Sequence, residues 1–333
     1  MSERPPRIWL LLGSRRGDNN QVLALGEALG LPFETRTLSY RPMWGVLLKL
    51  FPRRPVHLRS ASRRWLRPPW PDLVIGIGRR SVPVARWIRD KSGGRAKLVR
   101  LGHPRASNDL FDLVITTRQY PVPQGDNVVV LPLALNRFRK PPTPTAEEQA
   151  YLTSLPRPHF LLSLGGTAPM WRLDIAALRD AAARLVRRAA AARGTLIVVG
   201  SPRTPGEAWQ AVLEATQASE NVAIVVSEVR YPVLLGDADE QFVTADSVSM
   251  ISEAVMTGKP VGLIPVEPDS RGRRHFEDSD PSATRVRDPR RFWGDVSSRG
   301  LVGTVEEPKR GEVQDPVETA VAAVKRRLGG LFE

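Results

Sequence analysis

Ser247, Ser249 and Glu253 sit in VTADSVSMISEA (Val243–Ala254), an apolar run that passes into a hydroxyl-rich helix start. At 1.5 Å per residue, Ser249 to Glu253 spans about 6 Å of helix axis. That is the separation between a phosphate held at a helix start and a carboxylate accepting from the paired hydroxyls of a ribose. Asp246, Ser249 and Glu253 follow at intervals of three and four and so share a face. Met250, Ile251, Ala254 and Val255 form the neighbouring apolar face, suited to a core. A plainer reading is open for the same residues: Asp246 or Ser247 as a helix cap, and Glu253 as a solvated helix residue.

Other polar clusters stand where apolar runs end. They are Gly13–Gln21 (GSRRGDNNQ), Gly76–Ser81 (GIGRRS), Gly102–Arg105 (GHPR), Leu164–Thr167 (LGGT) and Gly200–Pro205 (GSPRTP). Glycines allow tight turns and close ligand approach, and the following helix starts offer backbone N–H groups to oxyanions. Arg79, Arg80 and Arg203 can add charge-assisted bonds. A diphosphate needs positive charge or helix-start N–H groups, for which Arg203, the Gly165-Gly166 turn and the Ser247–Ser249 turn are the candidates. A base that takes a proton from an attacking hydroxyl would be Asp18 or His103. Asp18 also reads as a cap of the first helix, and His103, before Pro104, as a packed turn residue. Asp237-Ala238-Asp239 spells a D-x-D metal motif, but it precedes a strand instead of following one. With no cysteine and only His57, His103, His159 and His275, neither a metal site nor a cofactor is expected.

Short β-rich runs alternating with helical patterns position these clusters, which implies α/β architecture with parallel sheets. In the first half, strands are expected at 8–13, 73–78, 98–102, 113–116 and 128–131, and helices at 21–29 and 82–90. In the second half, strands are expected at 160–164, 196–199, 222–226, 241–244 and 261–264. Helices are expected at 175–192, 206–216, after 246, and at 317–328. Residues 267–291 read as a long polar loop. The domains follow: a first α/β domain over 1–140, a Pro-rich linker over 141–154, a second α/β domain over 155–312 and a C-terminal helix over 313–333. Ligands of such sheets bind beyond the carboxyl ends of the strands.

The 333 residues carry a net charge of +14, which favours a polyanionic neighbour. Between Glu34 and Asp72 stand nine basic residues and no acid, interleaved with Trp44, Phe51, Trp65, Trp70 and several leucines. Trp44, Lys49, Phe51, Arg53, Arg54, Arg63 and Arg64 are the candidates for contact with an anionic membrane surface. The same composition fits nucleic acid or an ordinary solvated face; the membrane surface is the expectation adopted, with no nucleic acid. The N-terminus has no signal-peptide pattern and no run suffices to span a bilayer. A cytoplasmic location is expected, peripheral on the inner face of the cytoplasmic membrane.

Motifs along nearly the whole chain resemble the mitochondrial-fission (elongated-mitochondria) family of bacterial and plant proteins. They are Gly17-Asp18 with Gln21 and Glu27–Gly30; Pro71–Gly76 with Gly78-Arg79-Arg80-Ser81; Pro104-Arg105 with Phe111-Asp112; Asn127-Val128; Gly165-Gly166; Ser201 with Arg203-Thr204-Pro205; Ala238-Asp239; and Val243–Ala254 with Gly258–Val261. Pro202 departs from the pattern where a second arginine is expected, and Gly102-His103 where Gln-Asp is expected. The resemblance implies a GT-B architecture, two Rossmann-like domains facing a central cleft, and nucleoside-diphosphate-sugar chemistry. It implies donor-binding roles for Gly165, Gly166, Ser201, Arg203, Thr204, Asp246, Ser247, Ser249 and Glu253. Gly17, Gln21, Gly78, Arg79 and Arg80 would face the acceptor. The expected function is metal-independent glycosyl transfer to a membrane-associated lipid or envelope glycan. The alternatives are a non-catalytic membrane-surface adaptor with an unknown protein partner, or a nucleotide-sugar epimerase.

Overall fold

The computed structural model describes residues 4–42, 45, 54–137, 141–217, 219–225, 227–276, 279–281 and 286–332. The chain divides into two compact units, Met1–Arg137 with Gln314–Glu333, and Phe138–Val313.

Among the described residues, the first unit has a six-stranded sheet in the order β2-β1-β3-β4-β5-β6. The strands are β1 (Ile8–Leu12), β2 (Phe33–Thr37), β3 (Leu73–Ile77), β4 (Lys97–Leu101), β5 (Leu113–Thr117) and β6 (Val128–Leu131). All pairings are parallel. A parallel sheet is covered on both faces, so its central strands are continuous apolar runs such as IWLLL and LVIGI. Alternation divides them between two cores. Ile8, Leu10 and Ile75 pack with helices Arg16–Ala28 and Pro316–Arg327, while Trp9, Leu11 and Val74 pack with helix Val82–Lys91. The C-terminal helix is therefore part of the first unit: Asp315 caps it, and Val317, Ala320, Ala323 and Val324 enter that core.

The second unit has a parallel sheet in the order β10-β9-β7-β11-β12. Its strands are β7 (His159–Leu164), β9 (Thr195–Gly200), β10 (Val222–Val225), β11 (Glu240–Thr244) and β12 (Val261–Ile264). A small antiparallel ribbon pairs β8 (Trp171–Leu173) with β13 (Val266–Pro268). The 141–154 stretch, expected as linker, contains helix Ala146–Ser154, whose start is fixed by a Thr145/Glu148 capping box. The 267–291 stretch, expected as loop, holds helix Ser270–Phe276 and the start of helix Pro289–Ser298. Phe276 and Phe292 are the buried residues that draw these polar segments down. In each unit the strand order reverses once, beside β1 in the first and beside β7 in the second. Such switch points open a crevice at the carboxyl ends of the strands.

Candidate functional site

In the second unit the switch point lies between β7 and β11, and its turns are laced to one another. The Gly165 N–H donates to Thr244 Oγ1 at 2.8 Å. The Thr244 hydroxyl donates to Asp246 Oδ1 at 2.7 Å, and the Gly166 N–H donates to Asp246 Oδ2 at 2.8 Å. Asp246 is buried, which pushes its carboxyl upward against the opposing pull of these bonds and of Arg203. The glycines follow from this closeness. A Cβ at Gly165 would lie 2.1 Å from Asp246 Oδ1, and one at Gly166 would lie 2.2 Å from the Arg203 carbonyl oxygen. From the β9 turn, Ser201 and Thr204 hydroxyls donate to the Gly165 carbonyl at 3.0 and 2.6 Å. The Ser201 N–H donates to Thr204 Oγ1 at 2.8 Å.

Five residues expected to touch a donor, Gly165, Gly166, Ser201, Thr204 and Asp246, thus turn these polar groups into the protein. They fix the shape of the turns. Asp246 precedes the helix and is not its cap. Ser247 is the cap, accepting from the Met250 N–H at 3.4 Å, and the helix runs Val248–Met256. The first intrahelical bond joins the Ile251 N–H to the Ser247 carbonyl, so the Val248 and Ser249 amides lie ahead of the ladder. The Trp293 indole donates to the Ala245 carbonyl at 2.9 Å and steadies this entry. Arg203 is exposed, with one long contact of 3.4 Å to the Thr167 carbonyl.

Glu253 is different. It is largely buried and, among the described residues, its carboxylate has no hydrogen bond and no ion pair. Burial pushes it up to about 7. The Tyr231 phenol is buried beside it and is itself pushed upward, first by burial and then by the Glu253 charge. A carboxylate desolvated without donors is a cost to folding. It is also a preformed acceptor for a ligand bearing hydroxyls.

In the first unit, turns at the β1/β3/β4 edge line a cavity of about 330 Å³. It collects Asp18, Gly78, Arg79, Arg80 and His103 from the sequence reading. Gln21 instead lines a smaller neighbouring cavity, and Gly17 lines neither. Helix Arg16–Ala28 has Arg15 at its cap position with no side-chain cap, and Asp18 lies in its first turn. Asn19 closes the preceding turn by bonding both the N–H and the carbonyl of Gly13, at 2.8 and 2.9 Å. Gly78, at φ +79° and ψ 145°, takes a positive-φ conformation open mainly to glycine and so turns β3 into the Arg79–Ser81 turn.

His103 is poorly suited to accept a proton. Burial first, then the Arg105 and Arg100 guanidiniums, pulls its imidazole down to about 4. Its Nδ1 accepts the Arg105 N–H at 2.9 Å, which leaves the proton of the neutral ring on Nε2. The ring is therefore a donor at neutral pH, and Asp18 is the remaining candidate base.

The sequence reading missed Arg100, in the middle of β4. It is buried, donating to Ser81 Oγ at 2.9 Å and to the His103 carbonyl at 3.0 Å. Burial lowers it to about 10, so it stays charged. The signal was present, since KLVRL places one cation in an otherwise buried strand. Tyr40, Arg105 and Tyr120 also line the cavity and were not singled out as such. Tyr40 stacks on His57 and lies under the Arg80 guanidinium. Burial pushes its phenol to about 12, so it too is a donor.

Of the expected membrane-surface residues, Trp44, Lys49, Phe51 and Arg53 lie outside the described residues. Arg54, Arg63 and Arg64 are exposed and line an open cavity with Trp87. Trp65 is 51% exposed beneath the Arg64 guanidinium. Trp70, grouped with it in sequence, instead packs between Trp9 and Trp87. No helix among the described residues is long and apolar enough to cross a membrane. The D-x-D carboxylates hold the start of β7: Asp237 pairs with Arg157 and with His159 Nδ1, and Asp239 accepts the His159 N–H at 2.8 Å.

A family model described as "Mitochondrial fission ELM1" matches residues 16–282. The Mitochondrial fission protein ELM1 of Arabidopsis thaliana is 29% identical, over 58% of this chain and 51% of the plant protein. The chain thus spans about half the length of that relative. Among solved structures, S. aureus MnaA with UDP superposes with a TM-score of 0.55 at 12% identity, covering 97% of each chain. UDP-GlcNAc 2-epimerase from Neisseria meningitidis bound to UDP-GlcNAc gives 0.53 at 10% identity, over 97% of this chain and 100% of that one. These likenesses show a shared fold, the two-Rossmann-unit GT-B type. With most of its length matched by the family model, the chain belongs to the mitochondrial fission ELM1 family.

Proposed function

We propose that the chain is a metal-independent glycosyltransferase that moves a sugar from a nucleoside-diphosphate sugar to a membrane-associated lipid or envelope glycan. The observation that carries this reading is Glu253: a desolvated carboxylate with no partner among the described residues, about 6 Å along a helix from amides that precede its hydrogen-bond ladder. A ribose diol supplies the two donors that Glu253 lacks. The helix start, with Ser249 and Arg203, takes the diphosphate. The laced 165–166 and 201–204 turns keep this grip rigid before the ligand arrives. That the fold is shared with proteins solved with UDP and UDP-GlcNAc supports the choice of ligand. On the acceptor side, Asp18 takes the hydroxyl proton. The basic 41–70 segment, of which Arg54, Arg63, Arg64 and Trp65 are described, holds the enzyme on an anionic membrane from the cytoplasmic side. One observation favours a second reading, a non-catalytic adaptor: the plant relative is named for organelle fission and not for a reaction.

Thermal shift with uridine, guanosine and cytidine diphosphates and their sugars tests the proposal. One nucleotide is expected to stabilise the protein, and Glu253→Ala to weaken its binding about tenfold or more through loss of two bonds to a charged group. Product analysis then separates transfer from epimerisation. No response to any nucleotide would sink the transferase reading in favour of the adaptor.

A further inference from the structure

The cavity of the first unit has an unusual charge environment. Arg15, Arg79 and Arg105 face it, are exposed, and make no ion pair among the described residues. Arg80 lies on the same rim, over Tyr40. Beneath them Arg100 is fully buried and donates to a hydroxyl and a carbonyl, while Asp18 acts on it as a nearby charge and not as a hydrogen-bond partner. Two further donors point the same way in chemistry: a neutral His103 with its proton on Nε2, and a protonated Tyr40. The Arg16–Ala28 helix start has no side-chain cap. Against these the cavity holds one acid, Asp18. A buried cation is costly, and five guanidiniums gathered around one carboxylate repel one another. An anion in the cavity relieves both. The volume, about 330 Å³, exceeds what a bare oxyanion fills and lies at the low end of small-molecule sites, about 300–1,000 Å³.

We propose that this cavity binds a phosphate group, so that the molecule received by the first unit is phosphorylated. Arg79 and Arg105 clamp the phosphate from the rim, and Arg100 supports it from below through Ser81 and the His103 backbone. Describing that molecule as the acceptor rests on the transferase reading; the phosphate site does not. Asp18 shares the lining but, as an anion, is no ligand of the phosphate, and on the transferase reading it serves as base for a neighbouring hydroxyl.

The test is isothermal titration of the full chain with glycerol 3-phosphate. It compares the wild type with the double variant Arg79→Gln/Arg105→Gln and with Arg203→Gln in the other unit. All substituted side chains are exposed, and circular dichroism checks that the variants fold. Saturable binding is expected, weakened about tenfold or more in the double variant and unchanged in Arg203→Gln. Absence of saturable binding, equal binding by the double variant, or loss in Arg203→Gln alone overturns the proposal. Vesicles containing phosphatidic acid, against vesicles of phosphatidylglycerol, identify the source. Competition with glycerol 3-phosphate by the former alone supports a lipid phosphomonoester; undiminished glycerol 3-phosphate binding supports a water-borne phosphate. Binding that persists when no nucleotide binds would sink the transferase reading and leave the phosphate site standing. Nucleotide binding without glycerol 3-phosphate binding would do the reverse.

Discussion

The two units carry the same kind of sheet and the same kind of switch point, yet they treat polar groups there in opposite ways. At β7/β11 the hydroxyls and amides of the 165–166 and 201–204 turns are matched inside the protein, and what stays without a partner among the described residues includes the Glu253 carboxylate and the amides at the helix start. At β1/β3/β4 the turns bring three exposed guanidiniums, with no ion pair among the described residues, around a cavity. The first arrangement is rigid and closed, and suits a ligand whose shape must be met by a fixed grip. The second is open and charged, and suits a ligand recognised by its anion.

Substitution at the switch-point glycines should separate these regimes. Gly166 is needed because of what lies against it: an added Cβ meets a backbone oxygen at 2.2 Å. Gly78 is needed because of its own backbone, at φ +79°; its added Cβ would meet only Asp18 Oδ2 at an ordinary 3.8 Å. Gly166→Ala should therefore destabilise by on the order of 3 kcal/mol through overpacking. Gly78→Ala should cost about 1–2 kcal/mol, and Gly78→Asn no less, because φ +79° with ψ 145° is a region that glycine alone enters readily. Chemical denaturation of each variant gives the numbers. Equal costs at the two positions would mean that the lacing of the second unit is looser than its hydrogen bonds indicate.

The contrast was only partly legible in the sequence. The alternation of apolar runs and polar turns was enough to place the strand ends, because buried parallel strands are written as unbroken apolar runs. β2 (FETRT) escaped because it is an edge strand with exposed polar residues. β8 escaped because three residues carry no period. Helix Pro289–Ser298 hides its buried Phe292 and Val296 among arginines. Within the site, Glu253 was legible from spacing. That Asp246 and the Gly165-Gly166 amides face each other was not, since it depends on β7 and β11 being neighbours although 76 residues separate Leu164 from Glu240 in the chain. Arg105 lines the cavity through a positive φ of 58°, which arginine spells out in no pattern.

Glu253 sharpens the comparison from the side of the closed site. Its folded value is raised to about 7 from an ordinary 4.5. Below pH 4.5 the carboxyl is protonated folded or unfolded and contributes nothing. Between about 4.5 and 7 the folded state holds a proton that the unfolded state has lost, so stability falls as pH rises. Well above 7 the full penalty is present, on the order of 3 kcal/mol. Glu253→Gln should thus raise the melting temperature of the second unit by several degrees at pH 8 and leave it unchanged at pH 4. A bound nucleotide should shrink the difference by giving the carboxylate its donors. An effect of equal size at both pH values would show that Glu253 acts through packing and not through its charge.

The open site makes the smallest and most specific demand. If the guanidiniums at β1/β3 repel one another without an anion, removing one should stabilise the folded protein. Arg79 is the cleanest choice, exposed and without an ion pair among the described residues. Arg79→Gln should raise the melting temperature of the first unit by about 1 °C in low salt, where the interaction reaches roughly 10 Å or more. The gain should vanish in high salt, and it should reverse when glycerol 3-phosphate is present, because binding then stabilises the wild type more than the variant. Arg203→Gln, in a turn already laced by Ser201 and Thr204, should show no such reversal with that ligand. A loss of stability in Arg79→Gln at every salt concentration would mean that Arg79 supports the fold, and that the charge at β1/β3 is structural after all.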